Sequence, residues 1–289
     1  MIENLQKLFF NDKFVTIDKL SLLKCLRGFL YGDGIFETLR VRNYKIFRWK
    51  DHWNRLEKGL KICNFETKED IQSIQNKIEI LVRKNDLKDA YVRVNIWRQK
   101  PIHLNPLLEK ETNLLIISHK FKPYPEKFYK KGIKCLISKN FTKNAKSLLT
   151  YIKSFNYTEN ILAKIEARKN LCDDAILLNT KGNIAEATVS NIFFIKNGNV
   201  FTPAIKSGIL PGITRKIILE ICLNSGIKIK EGFFSVSDLR KADEIFLTNT
   251  IMGVMPISEI KGIFKNKNFE LTYFLKEKFE KILMEETYG

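Results

Sequence analysis

The chain has 289 residues, which exceeds the usual size of one domain and favours two domains with separate cores. Its 44% hydrophobic content excludes a disordered or fibrous protein, and no apolar run reaches the roughly 18 residues of a membrane span. The net charge of +18 admits nucleic-acid binding, but the basic residues are scattered and accompany no nucleic-acid motif, so this function remains a remote alternative.

Two further features of the composition concern location and metals. The opening segment, MIENLQKLFFNDKF, begins with acidic and polar residues unlike a secretory signal, so we expect a cytoplasmic protein. The five cysteines are scattered and show no C-x-x-C spacing. We therefore predict neither a disulfide framework nor a metal site.

Residues 1–121 are predicted to form a small α+β domain. Strand-like residues 34–49 are interrupted by a turn at 42–44, which indicates a hairpin. Two segments with helical spacing follow. The first, 51–65, has Asp51 as a plausible N-cap. The second, 68–87, has an apolar stripe formed by Ile71, Ile74, Ile78, Leu81 and Val82. Two apolar segments, 90–99 and 112–121, are typical of strands.

A linker is predicted at 122–130, because Pro123 and Pro125 oppose both helix and central strand. Residues 131–289 then alternate between strand and helix patterns, which predicts a larger α/β domain that includes Lys153. The predicted strands are 132–138, 174–180, 191–203 and 244–250, with hairpin turns at 181–183 and 196–198. The predicted helices are 158–171, 214–226 and 271–286.

Three segments of this second half contain residues suited to a reactive site. Lys153 precedes a helix, and a desolvated lysine amine can form an imine with an aldehyde. Glu186 lies among apolar and small polar residues, where a buried carboxylate would need a cationic or donor partner, although an edge-strand position facing water is the alternative. The sequence SGILPGITRKIILEIC places Thr214 near a helix start, which favours a phosphate or simple helix capping.

Four sequence blocks occur together in one order: YGDGIFETLR, DHWNRL, the region from Lys153 to Pro203 with AEATVSNIFFIKNG, and LPGITR. This order resembles that of the class IV aminotransferases, the fold type IV pyridoxal-phosphate enzymes, over residues 27–257. The resemblance implies a two-domain fold like that of D-amino-acid aminotransferase, pyridoxal 5'-phosphate as cofactor, and a homodimer with the site near the interface.

The resemblance also assigns roles to individual residues. Lys153 resembles the lysine that carries the cofactor as a Schiff base, and Glu186 resembles the partner of the pyridine nitrogen. Phosphate contacts are implied for Arg55, Ile213, Thr214 and Thr250. Tyr157 resembles a tyrosine near the cofactor's phenolic oxygen, through an alignment that needs a one-residue gap. Tyr31, Arg93 and Arg98 are candidates for substrate binding. The arginines are candidates because guanidinium groups bind carboxylates in a bidentate manner, but residues five apart on a strand face opposite ways, so we expect only one of the two in the site.

Local sequence patterns favour one of the family's reactions over the others. The segment ADEIFLTNTIMGVMPI and the strand RVNIWR resemble 4-amino-4-deoxychorismate lyases, so we expect release of 4-aminobenzoate and pyruvate. Residues 188–191 and 253–257 depart from the branched-chain aminotransferase pattern, but amino transfer from a branched-chain or other amino acid to a 2-oxo acid remains the alternative. Gln99 and the short loop at 100–110 depart from the lyase pattern. Phe36 lies at a position where D-amino-acid aminotransferases tend to have tyrosine, which disfavours that third reaction.

Overall fold

The computed structural model describes residues 7–16, 22–99, 104–105 and 110–288, with the backbone alone at 22–26. The described chain divides into two compact units. The first comprises residues 1–122, 152–156 and 284–289, and the second comprises 123–151 and 157–283. Most of the loop at 100–110, which departs from the lyase pattern, lies outside the described residues.

Within its described residues, the first unit contains one antiparallel sheet and three helices. The strands are β1 Leu8–Phe10, β2 Lys13–Val15, β3 Gly34–Arg42, β4 Lys45–Ile46, β5 Ala90–Arg98 and β6 Thr112–Lys120, in the order β2-β1-β6-β5-β3-β4. The helices are α1 Leu22–Tyr31, α2 Trp49–Ile62 and α3 Ile71–Lys84. The predicted hairpin corresponds to β3 and β4, which pair antiparallel.

The core of the first unit forms where apolar faces of α2 and α3 meet the sheet. Leu56 and Leu60 of α2 and Ile78 of α3 join the sheet residues Leu39 and Val92 in one buried cluster. Full burial of such side chains contributes about 1.5–3 kcal/mol each. The apolar stripe predicted for α3 therefore supplies much of this core.

The N-cap prediction for α2 was wrong. The helix begins at Trp49, after Arg48 with a left-handed φ of 53°, and Asp51 lies inside the first turn. The short β4 strand ends so close to the helix that no extended capping residue precedes it. Asp51 instead lies 3.6 Å from the Arg48 guanidinium and carries a negative charge near the helix start. Asp70 does cap α3, since its side chain accepts a hydrogen bond from Ser73 N–H.

The second unit contains a mixed sheet of nine strands. The strands are β7 Ile133–Lys143, β8 Asp174–Asn179, β9 Ile184–Ala187, β10 Asn191–Lys196, β11 Asn199–Pro203, β12 Ile229–Gly232, β13 Glu244–Asn249, β14 Gly253–Ile260 and β15 Phe264–Lys265. Their order is β12-β11-β10-β13-β14-β7-β8-β9, and β15 pairs with β14. The pairs β11–β12, β14–β7 and β7–β8 are parallel.

Five further helices follow in chain order. They are α4 Glu126–Lys131, α5 Thr158–Lys169, α6 Ile213–Asn224, α7 Val236–Arg240 and α8 Glu270–Tyr288. Helix α4 lies where the sequence predicts a linker. The end of α8, from residue 284 to 288, groups with the first unit. No helix among the described residues is both long enough and apolar enough to cross a membrane.

Candidate active site

Lys153 lies in a segment, 152–156, that pairs with the start of β3 in the first unit. Phe36 N–H donates to the Lys153 carbonyl at 2.8 Å, and Phe155 N–H donates to the Gly34 carbonyl at 2.8 Å. These bonds fix the backbone on both sides of the lysine. The sequence predicts that Lys153 belongs to the second domain, whereas these bonds join it to the sheet of the first unit.

The Lys153 amine and the Arg93 guanidinium lie against the same aromatic ring. Lys153 Nζ is 4.2 Å from the centroid of the Phe36 ring, and Arg93 Cζ is 3.6 Å from it. The pairing of β3 with β5 sets Arg93 opposite Thr38, two residues along the strand from Phe36. Successive side chains alternate between the faces of a strand, so positions 36 and 38 share one face. The fold therefore gathers two cationic groups around one apolar ring.

Arg98 has a different, structural set of partners. Its side chain is buried, with Nε 3.0 Å from Asp33 Oδ2 and Nη2 donating to the Cys63 carbonyl at 2.9 Å. Arg27 pairs with the same Asp33 oxygen at 2.6 Å, and its guanidinium lies 5.5 Å from the Tyr31 ring. Tyr31 ends α1 and is 40% exposed. Arg98 thus connects the end of β5 to the segments that contain Asp33 and Cys63.

Arg55 belongs to a buried polar cluster between α2 and β3. Its Nε donates to Glu37 Oε1 at 2.7 Å, and its Nη2 donates to Oε2 at 2.8 Å. His52 Nδ1 lies 2.8 Å from the same Oε2. Burial alone would raise the pKa of Glu37, but the charge of Arg55 and the hydrogen bonds from Arg55 and His52 hold that pKa at about 2. The carboxylate is therefore ionised at neutral pH.

In the second unit, Glu186 is buried although its strand, β9, lies at the edge of the sheet. Its Oε2 accepts a hydrogen bond from Leu210 N–H at 3.0 Å and lies 3.5 Å from Asn191 Nδ2. Its Oε1 is 3.3 Å from Lys143 Nζ, which also lies 3.4 Å from Asn160 Oδ1. The water-facing alternative for this residue is thereby excluded.

The start of α6 lies beside the same group of side chains. Ile213 and Thr214 are its first two residues, and both are buried. The preceding Gly212 makes no side-chain capping bond. Asn191 Nδ2 donates to the Leu210 carbonyl at 2.9 Å, and a Cβ added at Gly212 would lie 2.0 Å from Asn191 Oδ1. The helix start therefore packs against Asn191, which also approaches Glu186.

A turn after β13 completes this part of the second unit. Thr248 pairs with Asn191 across β10 and β13, and Thr250 lies two residues further on, partly buried. Asn249 Nδ2 donates to the Val189 carbonyl at 3.3 Å. The loops at 188–191, 210–214 and 248–252 are thus held to one another by direct contacts.

Tyr157 directly precedes α5 and is partly buried. Its carbonyl accepts the Ile161 N–H at 2.9 Å in the first turn of that helix. The structure groups Tyr157 with the second unit and residues 152–156 with the first. The predicted site residues therefore form two sets: Lys153, Arg55, Arg93, Arg98 and Tyr31 in the first unit, and Tyr157, Glu186, Ile213, Thr214 and Thr250 in the second.

Comparisons with known proteins identify the family. The model of the family described as amino-transferase class IV matches residues 34–260, well over half of the chain. The chain belongs to the class IV aminotransferase family. The resemblance predicted from the four sequence blocks is confirmed, and the protein is an enzyme.

Individual relatives divide between two reactions. This class IV aminotransferase is 35% identical over 282 residues to a Methanocaldococcus jannaschii protein assigned as a branched-chain-amino-acid aminotransferase, and the match covers 96% of each chain. It is 29% identical over 260 residues to the aminodeoxychorismate lyase of Bacillus subtilis, covering 89% of this chain and 87% of the relative.

Solved structures agree with the mixed two-domain fold expected of fold type IV. The structure of the Escherichia coli branched-chain amino acid aminotransferase has a TM-score of 0.91 and 27% identity, covering 98% of this chain and 96% of that one. The T.th. branched-chain amino acid aminotransferase with pyridoxamine 5'-phosphate has a TM-score of 0.89 and 27% identity, covering 97% of this chain and 94% of that one. The predicted fold class is confirmed.

Several polar residues of the class IV aminotransferase were not singled out from the sequence. They are Glu37 and His52 beside Arg55, and Lys143 and Asn191 beside Glu186. A signal existed for the first pair, because an acidic residue in the apolar strand GIFETL needs a partner and His52 and Arg55 share one helix face. Lys143 lies 43 residues from Glu186 among many lysines, so only the fold identifies it.

Proposed function

We propose that this protein is a pyridoxal 5'-phosphate-dependent aminotransferase that moves the amino group of a branched-chain amino acid to a 2-oxo acid. The observation that carries the proposal is the 35% identity, over 96% of both chains, with the M. jannaschii relative of that assignment. The comparisons therefore favour the transaminase alternative over the lyase reaction that the local sequence patterns favoured.

The second unit offers groups that fit the phosphorylated cofactor. Helix α6 has twelve residues and begins after Gly212 without a side-chain cap, and such a start favours an anion through its N–H groups and its dipole. Among the described residues, the buried hydroxyls of Ser190 and Thr248 have no hydrogen-bond partner. Buried polar atoms without partners are costly in a folded protein and point to a missing ligand or water.

The cofactor, when bound, supplies an electron sink for the carbanion formed at the substrate Cα. The Lys153 amine would hold the cofactor through its aldehyde carbon, and once the substrate amine takes its place there the freed lysine amine would move the Cα proton. Glu186 would accept a hydrogen bond from the protonated ring nitrogen. Arg55, the α6 start at Ile213 and Thr214, and Thr250 would bind the phosphate, while Tyr157 would contact the phenolic oxygen.

The surroundings of Lys153 suit a carboxylate with an apolar side chain. Arg93 lies on the Phe36 ring beside Lys153, where its guanidinium would bind the substrate carboxylate. The centroid of the Phe155 ring lies 6.3 Å from that of Phe36 and 6.5 Å from that of Trp97. Aromatic rings therefore surround the segment 152–156. Such surroundings favour an aliphatic amino acid over a substrate with several polar ring substituents.

Amino-transfer assays test this proposal. We expect the purified protein with pyridoxal phosphate to form glutamate from 2-oxoglutarate with L-leucine, L-isoleucine or L-valine. Lys153→Ala should abolish the reaction, whereas Lys146→Ala, a substitution of an exposed lysine seven residues away, should preserve it. Absence of transfer from all three donors would overturn the assignment.

The second candidate is 4-amino-4-deoxychorismate lyase, supported by the B. subtilis relative. Pyruvate release from aminodeoxychorismate, without glutamate formation in the first assay, would establish the lyase instead. We also propose that the enzyme is a cytoplasmic homodimer. Sedimentation of the purified protein at the mass of one 33.8 kDa chain would contradict the dimer.

A further inference from the structure

Two fully buried polar side chains, Glu37 and His52, lie next to Arg55 and have no part in the proposed mechanism. Glu37 is 1% exposed and His52 is 0% exposed, while the Arg55 side chain is 8% exposed. Glu37 projects from β3, and the other two residues lie three apart on α2, so they share one helix face. The three residues, here called the Glu37 cluster, meet between that helix and the sheet.

The contacts fix the orientation of the Arg55 guanidinium. This group is planar and carries five N–H donors in a rigid arrangement. Two of the donors, on Nε and Nη2, each bind a different oxygen of Glu37 at 2.7 and 2.8 Å. Two parallel bonds define the plane of the guanidinium as well as its position, which a single bond would not do.

His52 holds the carboxylate in turn. Its Nδ1 lies 2.8 Å from Glu37 Oε2, and burial lowers the pKa of His52 more than the neighbouring carboxylate raises it. The neutral imidazole therefore donates its Nδ1 proton to Glu37. The cluster then contains one negative and one positive charge, and Glu37 balances the buried guanidinium before any anion binds.

We propose that Glu37 is a positioning residue for Arg55, holding its guanidinium ready to bind the cofactor phosphate, and that His52 fixes Glu37. This inference rests on the proposed function, in which Arg55 binds that phosphate. A guanidinium already held in one plane loses less side-chain freedom when the phosphate binds, so the affinity is higher. Removing the charge of Glu37 would leave Arg55 to adopt other orientations.

The test compares two probes that differ only in the phosphate. The affinity of the full chain for pyridoxal phosphate and for pyridoxal is measured for the wild type and for Glu37→Gln, which preserves shape and removes the charge. We expect the substitution to weaken pyridoxal phosphate binding about tenfold and to leave pyridoxal binding within about twofold. Glu57→Gln, on the same helix with a side chain that is 47% exposed, serves as the matched control and should change neither affinity.

Two results would overturn the inference. Glu37→Gln could bind pyridoxal phosphate as tightly as the wild type, or it could lose both probes equally, which indicates general damage to the site. If Glu37→Gln does not fold, His52→Asn and His52→Leu replace it. Asparagine can still donate to Glu37, so we expect it to preserve the phosphate-dependent affinity that leucine lowers, and equal affinities in the two variants would contradict the proposal.

Failure of the underlying function gives a different result. If Arg55→Ala leaves the affinity for pyridoxal phosphate unchanged, the phosphate role of Arg55 is wrong and Glu37 has nothing to position. If Arg55→Ala weakens binding and Glu37→Gln does not, the phosphate role stands and only the positioning inference falls.

Discussion

Two arginines on one strand illustrate how the same residue type acquires different roles. Arg93 lies on the Phe36 ring beside Lys153, whereas Arg98 pairs with Asp33 and donates to a loop carbonyl. The sequence makes both candidates for a substrate carboxylate, but it also predicts that they face opposite ways and that only one lies in the site. Their partners in the fold assign the substrate role to Arg93 as a proposal and a structural role to Arg98.

Substitution of the two arginines should separate these roles. Arg98→Ala leaves Asp33 with one fewer cation in a buried network, so we expect a loss of roughly 3 kcal/mol in the free energy of unfolding. Arg93→Ala, which breaks a bond to Asn95, should cost about 1 kcal/mol or less but raise KM for the amino acid. Urea unfolding and steady-state kinetics measure both effects, and an equal loss of stability in the two variants would contradict this division.

Glu37 makes stability depend on pH in a defined window. Its pKa in the folded protein is about 2, below the ordinary value of 4.5, so its contribution is fully present above pH 4.5. That contribution is lost as the pH falls towards 2, and it amounts to roughly 3 kcal/mol. Urea unfolding across this range should therefore show a steeper loss for the wild type than for Glu37→Gln, and parallel curves would refute the prediction.

At the scale of single elements, the start of α6 leaves no room for a side chain at Gly212. Gly212 has a φ of −69°, which any residue can adopt, so its requirement for glycine comes from the contact with Asn191. That asparagine also holds the loop through the Leu210 carbonyl. A larger residue at 212 must displace either the asparagine or the helix.

Gly212→Ala should therefore lower both stability and cofactor affinity. We expect a cost of about 2 kcal/mol in the free energy of unfolding, the typical effect of overpacking. Thermal unfolding and a titration with pyridoxal phosphate measure the two effects. Leu223→Ala, at a 77% exposed position near the other end of the helix, is the control and should change little. Normal affinity and stability in Gly212→Ala would show that the helix start tolerates a side chain.

Element patterns predicted much of the fold. The hairpin of β3 and β4, the apolar stripe of α3 and the strands at 174–180 and 244–250 follow from local periodicity. Short elements such as β12 and α7 did not, because four or five residues carry too little periodicity to distinguish helix, strand and loop. The segment 152–156 pairs with β3, more than a hundred residues earlier, and such non-local pairing leaves no local signal.

At the scale of the whole molecule, family membership was predictable because four motifs occur in one order. The reaction was harder to predict from the sequence. Local patterns favour the lyase, whereas similarity over nearly the whole chain favours a branched-chain aminotransferase. A few residues around a substrate decide this difference, and part of the relevant loop, at 100–103 and 106–109, lies outside the described residues. The charge of +18 is compatible with either anionic substrate.

The proposed function depends on a covalent bond between the Lys153 amine and the cofactor. The most direct measurement is borohydride reduction of the protein loaded with pyridoxal phosphate, followed by peptide mass spectrometry. We predict a phosphopyridoxyl group on Lys153 in the wild type and in Lys146→Ala, and none in Lys153→Ala. An unmodified Lys153, or stoichiometric modification of another lysine, would contradict the account.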